Sequence, residues 1–263
     1  MTDLLAAYDA QLRGEAELRG ADGVQTIGPV SVGTFPGGVG FASYRALDGL
    51  GGRRIRSLVS RVRDHFAGLP EVRTAEWKTR GHDVAPGLDA ALRDAGFVAE
   101  ETESVMLGEA AALAADVSLP DGVVLREIRE ATDIRAMEHM QAAVFGHGDG
   151  DARAKHTIAR VAAGDDVVVW VAEVEGRVIS AGRLEPVPGT EFAGIWGGAT
   201  VPEWRGRGVY RALAAKRAQA ALARGRRYLH SDSTEFSRPI LERSGMRRVT
   251  TTTPYVWNRE TAR

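Results

Sequence analysis

Short apolar runs and one helical stripe alternate through the first part of the chain. Residues 3 to 19 suit an amphipathic helix with Leu4, Leu5, Tyr8, Leu12 and Leu18 as its apolar members. Val24 to Val32 and Val39 to Tyr44 read as strands around the turn Phe35-Pro36-Gly37-Gly38. From Arg53 to Phe66 the apolar positions Ile55, Leu58, Val59, Val62 and Phe66 recur on one helical face. Val72 to Lys78 is a strand. Pro86 to Ala95 is a short helix, with proline near its start and Gly96 just past its end. Thr102 to Leu107 is a further strand.

The pattern then pauses. Glu109 to Leu119 is alanine-rich and ends in the turn signal Leu119-Pro120-Asp121-Gly122, which predicts two domains, 1–115 and 116–263. Beyond it come a strand at Val123 to Ile128 and a helix from Thr132 to Phe145, with Asp133 in the favourable first turn. The polar loop Gly146 to Asp151 lacks the spacing and closing glutamate of a calcium loop, so a solvated loop is expected. Ala152 to Ala163 is a second helix. Asp166 to Glu173 is a strongly apolar strand, followed by the hairpin turn Glu175-Gly176-Arg177 and a strand at Val178 to Glu185. A strand from Ala193 to Val201 is stopped by Pro202. After the turn Arg205-Gly206-Arg207-Gly208 a helix runs from Val209 to Arg224 and ends at Gly225. A strand at Arg227 to Ser231, a helix from Ser237 and a strand at Val249 to Trp257 complete the chain.

The glycine turn before Val209 carries the chemistry. The first turn of a helix leaves backbone N–H groups without intrahelical partners, and the helix dipole adds partial positive charge there. Glycines remove the Cβ atoms that would hold a ligand off the backbone. Arg205 and Arg207 add full charges beside those amides. The combination predicts a phosphate or pyrophosphate site.

Composition narrows the choice. The chain has 263 residues, 44% of them apolar, enough for two small domains with real cores. Its 34 basic and 35 acidic side chains give a net charge of -1, which argues against a generic nucleic-acid binder. With no cysteine, disulfides, thiolate metal sites and a cysteine nucleophile are excluded, and no metal is expected. No apolar run of membrane-spanning length occurs, and the acidic N-terminus does not read as a secretory signal, so a cytoplasmic protein without membrane contact is the expectation.

The stretch Val201-Pro202-Glu203-Trp204-Arg205-Gly206-Arg207-Gly208-Val209-Tyr210 resembles the acetyl-CoA signature of GNAT-type N-acetyltransferases, (Arg or Gln)-x-x-Gly-x-(Gly or Ala). Arg205 and Gly208 match, and Tyr210 stands where a small residue is usual. The resemblance extends over Val123 to Trp257 and implies a mixed, mostly antiparallel α/β sheet flanked by helices. It implies acetyl-CoA as co-substrate. Ala199, Thr200 and Val201 would line the pantetheine arm, Arg205, Gly206, Arg207, Gly208, Val209 and Tyr210 would hold the pyrophosphate, and Ser237 heads the next helix of the cofactor side. Ser237 to Met246 resembles the family's following helix and its closing Gly-Phe, with methionine in place of phenylalanine. Leu241 occupies the position where many members carry a proton-donating tyrosine. Tyr255 or Tyr210 is then the candidate acid, with solvent as the alternative. Glu191 and Asp232 are the foremost candidate bases, with Glu203 and His230 also near the strand ends.

A shift of 149 residues lays Asp83 on Asp232, Leu92 on Leu241, Gly96 on Gly245 and Phe97 on Met246. The first half thus resembles the latter part of a second, truncated GNAT-like unit. Its own loop, Arg45 to Arg53, puts Asp48 where the signature needs glycine, and an aspartate repels phosphate, so this half is expected to be non-catalytic. The whole reads as an N-acetyltransferase that moves an acetyl group directly to an amine. An acyl-CoA binder without turnover and, further off, a dinucleotide-binding oxidoreductase are the rival readings. The acceptor is open between small amines and peptides. Two units in one chain fit either a monomer with an internal pseudo-dimer or a homodimer.

Overall fold

The computed structural model describes residues 3–47, 49–146 and 149–261. Asp48 of the degenerate loop and His147 and Gly148 of the polar loop lie outside the described residues. The chain divides into two compact units, residues 1–105 with 248–263, and residues 106–247. The expected division at 115 is therefore altered at both ends. Residues 106–115 group with the second unit, and the closing strand groups with the first.

In the first unit, α1 (Leu4–Gln11) is capped by Asp3, whose carboxylate accepts from Leu5 N (3.1 Å) and Ala6 N (3.2 Å). The helix expected to reach residue 19 ends early and a 3-10 turn, Gly14–Leu18, replaces its second part. Gly14 takes φ +66, and Arg13 turns inward to give Asp83 two hydrogen bonds, at 2.7 and 2.9 Å. The single strand expected over 24–32 is a hairpin of β1 (Gly23–Ile27) and β2 (Val30–Phe35), reversed at Gly28 with φ +62. There follow β3 (Val39–Tyr44), α2 (Gly52–Ala67), β4 (Thr74–Arg80), α3 (Leu88–Asp94), β5 (Val98–Ala99) and β6 (Glu103–Glu109), the last of which carries the chain across the division. β3 pairs with β4 in parallel, while β1 with β2 and β2 with β3 are antiparallel. α2 buries its predicted stripe of Ile55, Leu58, Val59, Val62 and Phe66 in one core with Tyr44, Trp77, Leu92 and Phe97. Gly40 is required there, because a Cβ would lie 2.6 Å from the Phe66 ring.

The second unit continues with α4 (Ala110–Leu113), β7 (Val124–Ile128), α5 (Ala131–Phe145), α6 (Gly150–Ala162), β8 (Val168–Val174), β9 (Arg177–Pro186), β10 (Phe192–Thr200), α7 (Val209–Ala223), β11 (Tyr228–Ser233) and α8 (Arg238–Arg243). Its strands lie in the order β7-β8-β9-β10-β11, all antiparallel except β10 with β11. Strand alternation divides the apolar residues between two faces. Val169, Val171 and Ala181 meet Ile134 and Met137 of α5, whereas Val168, Leu184, Ala193 and Ile195 meet Ala218 and Ala221 of α7. Asp149 of the polar loop is the N-cap of α6, accepting from Asp151 N (2.9 Å) and Ala152 N (3.2 Å).

The last strand, β12 (Arg247–Asn258), runs antiparallel to β4 from Thr252 against Arg80 to Asn258 against Thr74. Tyr255 and Trp257 join the first unit's core, which is the physical reason that residues 248–263 belong to it.

The internal repeat is visible in how two helices end. After α3, Gly96 has φ +86 and Phe97 N–H bonds back to the Leu92 carbonyl at 3.0 Å. After α8, Gly245 has φ +101 and Met246 N–H bonds back to the Leu241 carbonyl, also at 3.0 Å. Each left-handed glycine closes its helix and sends one large apolar side chain into its core.

Candidate functional site

The site begins where β10 and β11 part. Their parallel pairing covers only Phe192 with Tyr228, Ala193 with Leu229 and Gly194 with His230. Beyond those pairs the β11 side of β10 carries no ladder, so the backbone opens into a fork. On its other side β10 stays on β9, but the register slips between Trp196 opposite Arg183 and Ala199 opposite Ala181. Gly197 and Gly198 thus face the single residue Gly182, which makes a β-bulge at the mouth of the fork. Gly197 adopts φ +61, a conformation that favours glycine.

Buried polar side chains hold the bulge in place. Gln141 of α5 is fully buried and donates from Nε2 to the Gly197 carbonyl. Arg153 of α6 in turn donates to Gln141 Oε1 at 3.0 Å. Glu138, also fully buried, receives Thr157 Oγ1 at 2.8 Å and lies 3.0 Å from Arg153 Nε and 3.3 Å from Arg183 Nη1. Such a charge is tolerable in a core because it is paired on more than one side. Neither Gln141 nor Glu138 lies in a motif of the sequence. Their signal was a pair of polar side chains, Glu138 and Gln141, spaced by three on the inward face of α5.

The expected anion loop lies just past the strand. A 3-10 turn, Pro202–Trp204, leads to Gly206 with φ +73 and Gly208 with φ +85. Gly208 is the N-cap of α7 and no side chain caps the helix. The first backbone bond of α7 runs from Ala212 N–H to the Gly208 carbonyl (3.0 Å), so the N–H groups of Val209, Tyr210 and Arg211 precede the ladder. A Cβ at Gly206 would meet nothing within 4 Å, and one at Gly208 nothing closer than 3.8 Å. The loop is therefore uncrowded where its two glycine Cβ atoms would stand, and each hydrogen bond from a free amide to an anion is worth about 1.5–3 kcal/mol. These features fit a diphosphate.

The other predicted cofactor residues divide. Arg205 Nε donates to the Thr200 carbonyl at 3.0 Å, bracing the loop on the end of β10. Arg207 is exposed and stacks on Trp204, with Cζ 4.9 Å from the ring centroid. The side chains of Ala199, Thr200, Val201 and Val209 are buried, so only their backbone can meet a ligand. The Ala199 carbonyl already accepts from Ser180 Oγ (2.7 Å), and Val201 N–H is used on the Ile179 carbonyl (2.9 Å). A carbonyl keeps a second lone pair for a guest. Tyr210 does not obstruct the amides, because its ring lies on Gly198, under the bulge. Ser237 stands at the head of α8 with its hydroxyl on the Thr234 carbonyl at 3.4 Å, outside the amide loop.

Of the predicted catalytic side chains, Asp232 and Glu191 stand at different levels of the fork. Asp232 of β11 lies two residues past His230, level with Trp196 and just before the bulge, and is half-buried. Glu191 is exposed at the paired end of the fork, where its carbonyl receives Arg227 N (2.8 Å) and Tyr228 N (3.0 Å). Five strand residues separate the two levels, about 16 Å at 3.3 Å per residue. Tyr255 belongs to the first unit, donates to Asp89, and has its pKa raised by burial and by that carboxylate. Glu203 is exposed beside Arg177 at 2.8 Å, and its own backbone N–H and then that arginine hold its carboxyl below the usual range, against a role as base. His230 meets Trp196 edge-on at 5.2 Å between centroids. Leu241 is fully buried among apolar side chains.

Two neighbouring features complete the picture. A cavity of about 540 Å³ is walled by α5, the β8–β9 hairpin and Val201, Pro202 and Glu203; it adjoins the loop but does not include Gly206 or Gly208. Arg217 of α7 is 1% exposed, with Nε on the Leu213 carbonyl at 3.3 Å and its guanidinium 5.7 Å from the Tyr210 ring centroid. A cation–π contact returns about 2 kcal/mol when desolvated, less than the several kcal/mol that burying an ion costs.

Residues 134–246 match the family model described as the acetyltransferase (GNAT) family. No curated protein is detected as a sequence relative. Among solved structures, a GCN5-related N-acetyltransferase from Kribbella flavida superposes with TM-score 0.69 over 92% of this chain and 93% of its own, at 15% identity. A tandem GNAT protein from the clavulanic acid biosynthesis pathway gives 0.62 over 87% of this chain and 78% of its own, at 13% identity. A GNAT-family protein from Novosphingobium aromaticivorans, described as a possible acetyltransferase, gives 0.56 over 96% of each chain, at 20% identity. Residues 134–246 thus match the GNAT acetyltransferase family, and the fold of the whole is that of GNAT proteins, with a truncated GNAT-like unit ahead of them.

Proposed function

We propose that the second unit is an acetyl-CoA-dependent N-acetyltransferase and that the first unit is non-catalytic. The observation that carries this reading is the uncapped start of α7, with its open, left-handed Gly206 and Gly208 beside a forked β10. Coenzyme A supplies an activated thioester, and the chain supplies its placement. Amides from Gly206 to Arg211 hold the diphosphate, and the unladdered edge of β10 accepts the pantetheine arm as an added strand. The bulge at Gly197 and Gly198 turns backbone N–H groups toward the thioester carbonyl, where negative charge develops during attack. Asp232, level with the bulge, takes the proton of the incoming amine. Leu241 leaves no tyrosine at the family's usual position, and solvent at the mouth of the fork protonates the weakly basic thiolate. That same substitution at Leu241 favours the second reading, an acyl-CoA binder without turnover.

Calorimetric titration with coenzyme A tests the binding step. Wild-type chain is expected to bind, and a Gly206→Val, Gly208→Val double variant to bind at least 100-fold more weakly. Equal affinity in the two would reject the loop as the site. Thiol release from acetyl-CoA over a panel of small amines and peptides then separates an enzyme from a binder.

A further inference from the structure

Helix α2 carries a charge pattern that its own stability does not ask for. Its first turn holds Arg53 and Arg54 but no acidic residue, and no side chain caps it. Cations there oppose the helix dipole, which favours anions at an N-terminus. Arg56, Arg61 and Arg63 follow, and Asp64 is the single acidic residue of the helix. One helix of 16 residues thus holds five arginines against one aspartate, in a chain of net charge -1. The aspartate is used locally, accepting from Arg63 Nε at 2.7 Å and from Ser60 Oγ at 3.3 Å. Among the described residues, the guanidinium groups of Arg53, Arg54, Arg56 and Arg61 have no hydrogen-bond or ion-pair partner. All four residues are exposed. The arginines are also ordered. An α-helix turns by about 100° per residue, so positions seven apart stand in one row about 10.5 Å long. Arg54 and Arg61 make one row, and Arg56 and Arg63 make another on the opposite flank. Between the rows the outward strip is Arg53, the small Ser57 and Ser60, and Asp64. The apolar stripe from Ile55 to Phe66 faces the other way and is buried in the core of the first unit. The outer face therefore offers charge, with no apolar side chain to enter a bilayer.

We propose that the exposed face of α2 docks on duplex DNA, lying over the major groove with one arginine row on the phosphates of each strand. Two parallel rows of cations call for a rod with two lines of anions. A helix with its side chains is about 10–12 Å across and the major groove about 12 Å wide, so rows on opposite flanks reach both walls. The deep, narrow major groove of an RNA duplex does not offer this. An acidic peptide is also the poorer match, because it must be ordered on binding and a duplex is already stiff. Arginine forks and serine hydroxyls are both donors to phosphate, so the contact is to the backbone and independent of sequence. The even charge balance of the whole chain excludes a generally basic protein and leaves one basic face permitted. This surface lies wholly in the first unit and stands whatever the fork of the second unit binds.

Fluorescence anisotropy of a short labelled DNA duplex, titrated with the full chain over a range of salt concentrations, is the test. Binding is expected at low salt, and log K is expected to fall against log salt with a slope of about -3.6, the value for four phosphate contacts. Arg54→Gln with Arg61→Gln removes one row. That pair is expected to bring the slope to about -1.8 and to weaken binding at least tenfold at low salt, with Tm unchanged because both positions are exposed. Arg54→Lys with Arg61→Lys keeps the charge and should keep the slope. Absence of binding by the wild type at low salt, or equal affinity in the glutamine pair, would overturn the proposal. Equal affinity for an RNA duplex of the same length, or tighter binding to phosphatidylserine vesicles than to DNA, would assign the face to another partner and overturn it as well. Displacement of the duplex by coenzyme A would place the DNA on the Gly206–Gly208 loop instead of α2, with the same consequence.

Discussion

The two units meet the same structural problem, a parallel strand pair followed by a helix, and resolve it differently. In the first, β2 and β3 keep one continuous register from Val30 against Tyr44 to Phe35 against Val39, with no bulge. Its parallel pair, β3 with β4, runs from Val39 with Thr74 to Ala42 with Trp77, and Tyr44 packs on Trp77 in one buried core, with ring centroids 6.1 Å apart. The N-cap of α2, Gly51, is extended at φ -132. In the second, the equivalent strand is bulged at paired glycines, the parallel pair ends after three residues, and the helix begins from a left-handed glycine. The aspartates related by the repeat diverge in the same sense. Asp83 is locked by the buried Arg13, whereas Asp232 lies at the open mouth. A cleft in this fold is thus a matter of a few withheld contacts, and filling them returns an ordinary core.

The contrast can be broken most strongly at the aspartates. Asp83→Asn leaves Arg13 buried without its main counter-charge and is expected to destabilise the first unit by about 3 kcal/mol in urea unfolding. The same change at Asp232 is expected to alter stability by less than about 1 kcal/mol, and to slow amine acetylation about 100-fold with little change in acetyl-CoA affinity. Equal stability losses in both variants would show that the two aspartates play the same structural part. Next in size is the loop. The valine pair at Gly206 and Gly208 should cost at least 100-fold in coenzyme A affinity, about 2.7 kcal/mol, whereas Gly51→Val should leave it within twofold. A matching loss from Gly51→Val would mean that the first unit also binds.

The smallest effect is a pH dependence. Burial first, and then the nearby Asp83, raise the Tyr44 pKa far above its ordinary value. The protonated form is favoured by folding, so this stability is complete below about pH 10 and is lost as pH climbs toward the folded value. Tyr44→Phe should therefore flatten the alkaline decline in Tm while changing stability at neutral pH by about 1 kcal/mol. An unchanged alkaline limb would assign that decline to other groups.

What could be read from the sequence was local. The turn Arg205-Gly206-Arg207-Gly208 carries its meaning in adjacent residues, and so does each left-handed glycine at Gly96 and Gly245. The apolar stripes of α2 and of the strands flanking α7 placed the core correctly for the same reason. Features made by distant residues escaped. The bulge needs the register of β9, although two glycines in mid-strand were a hint of it. Gln141 meets Gly197 across 56 positions. Glu191 and Asp232 look equivalent near strand ends until the register separates them, and Tyr255 follows a strand that pairs with β4.

The discontinuous first unit has a consequence for synthesis. A chain emerging from its N-terminus releases residues 1–105 while β4 still lacks the strand that covers its edge and the ring of Trp257 that completes its core. Residues 106–247 are contiguous and can close as soon as they are out. The later-made unit is thus the earlier to finish, and the segment ahead of it waits, with an unpaired strand edge exposed to solvent and to chaperones, for the last residues to return.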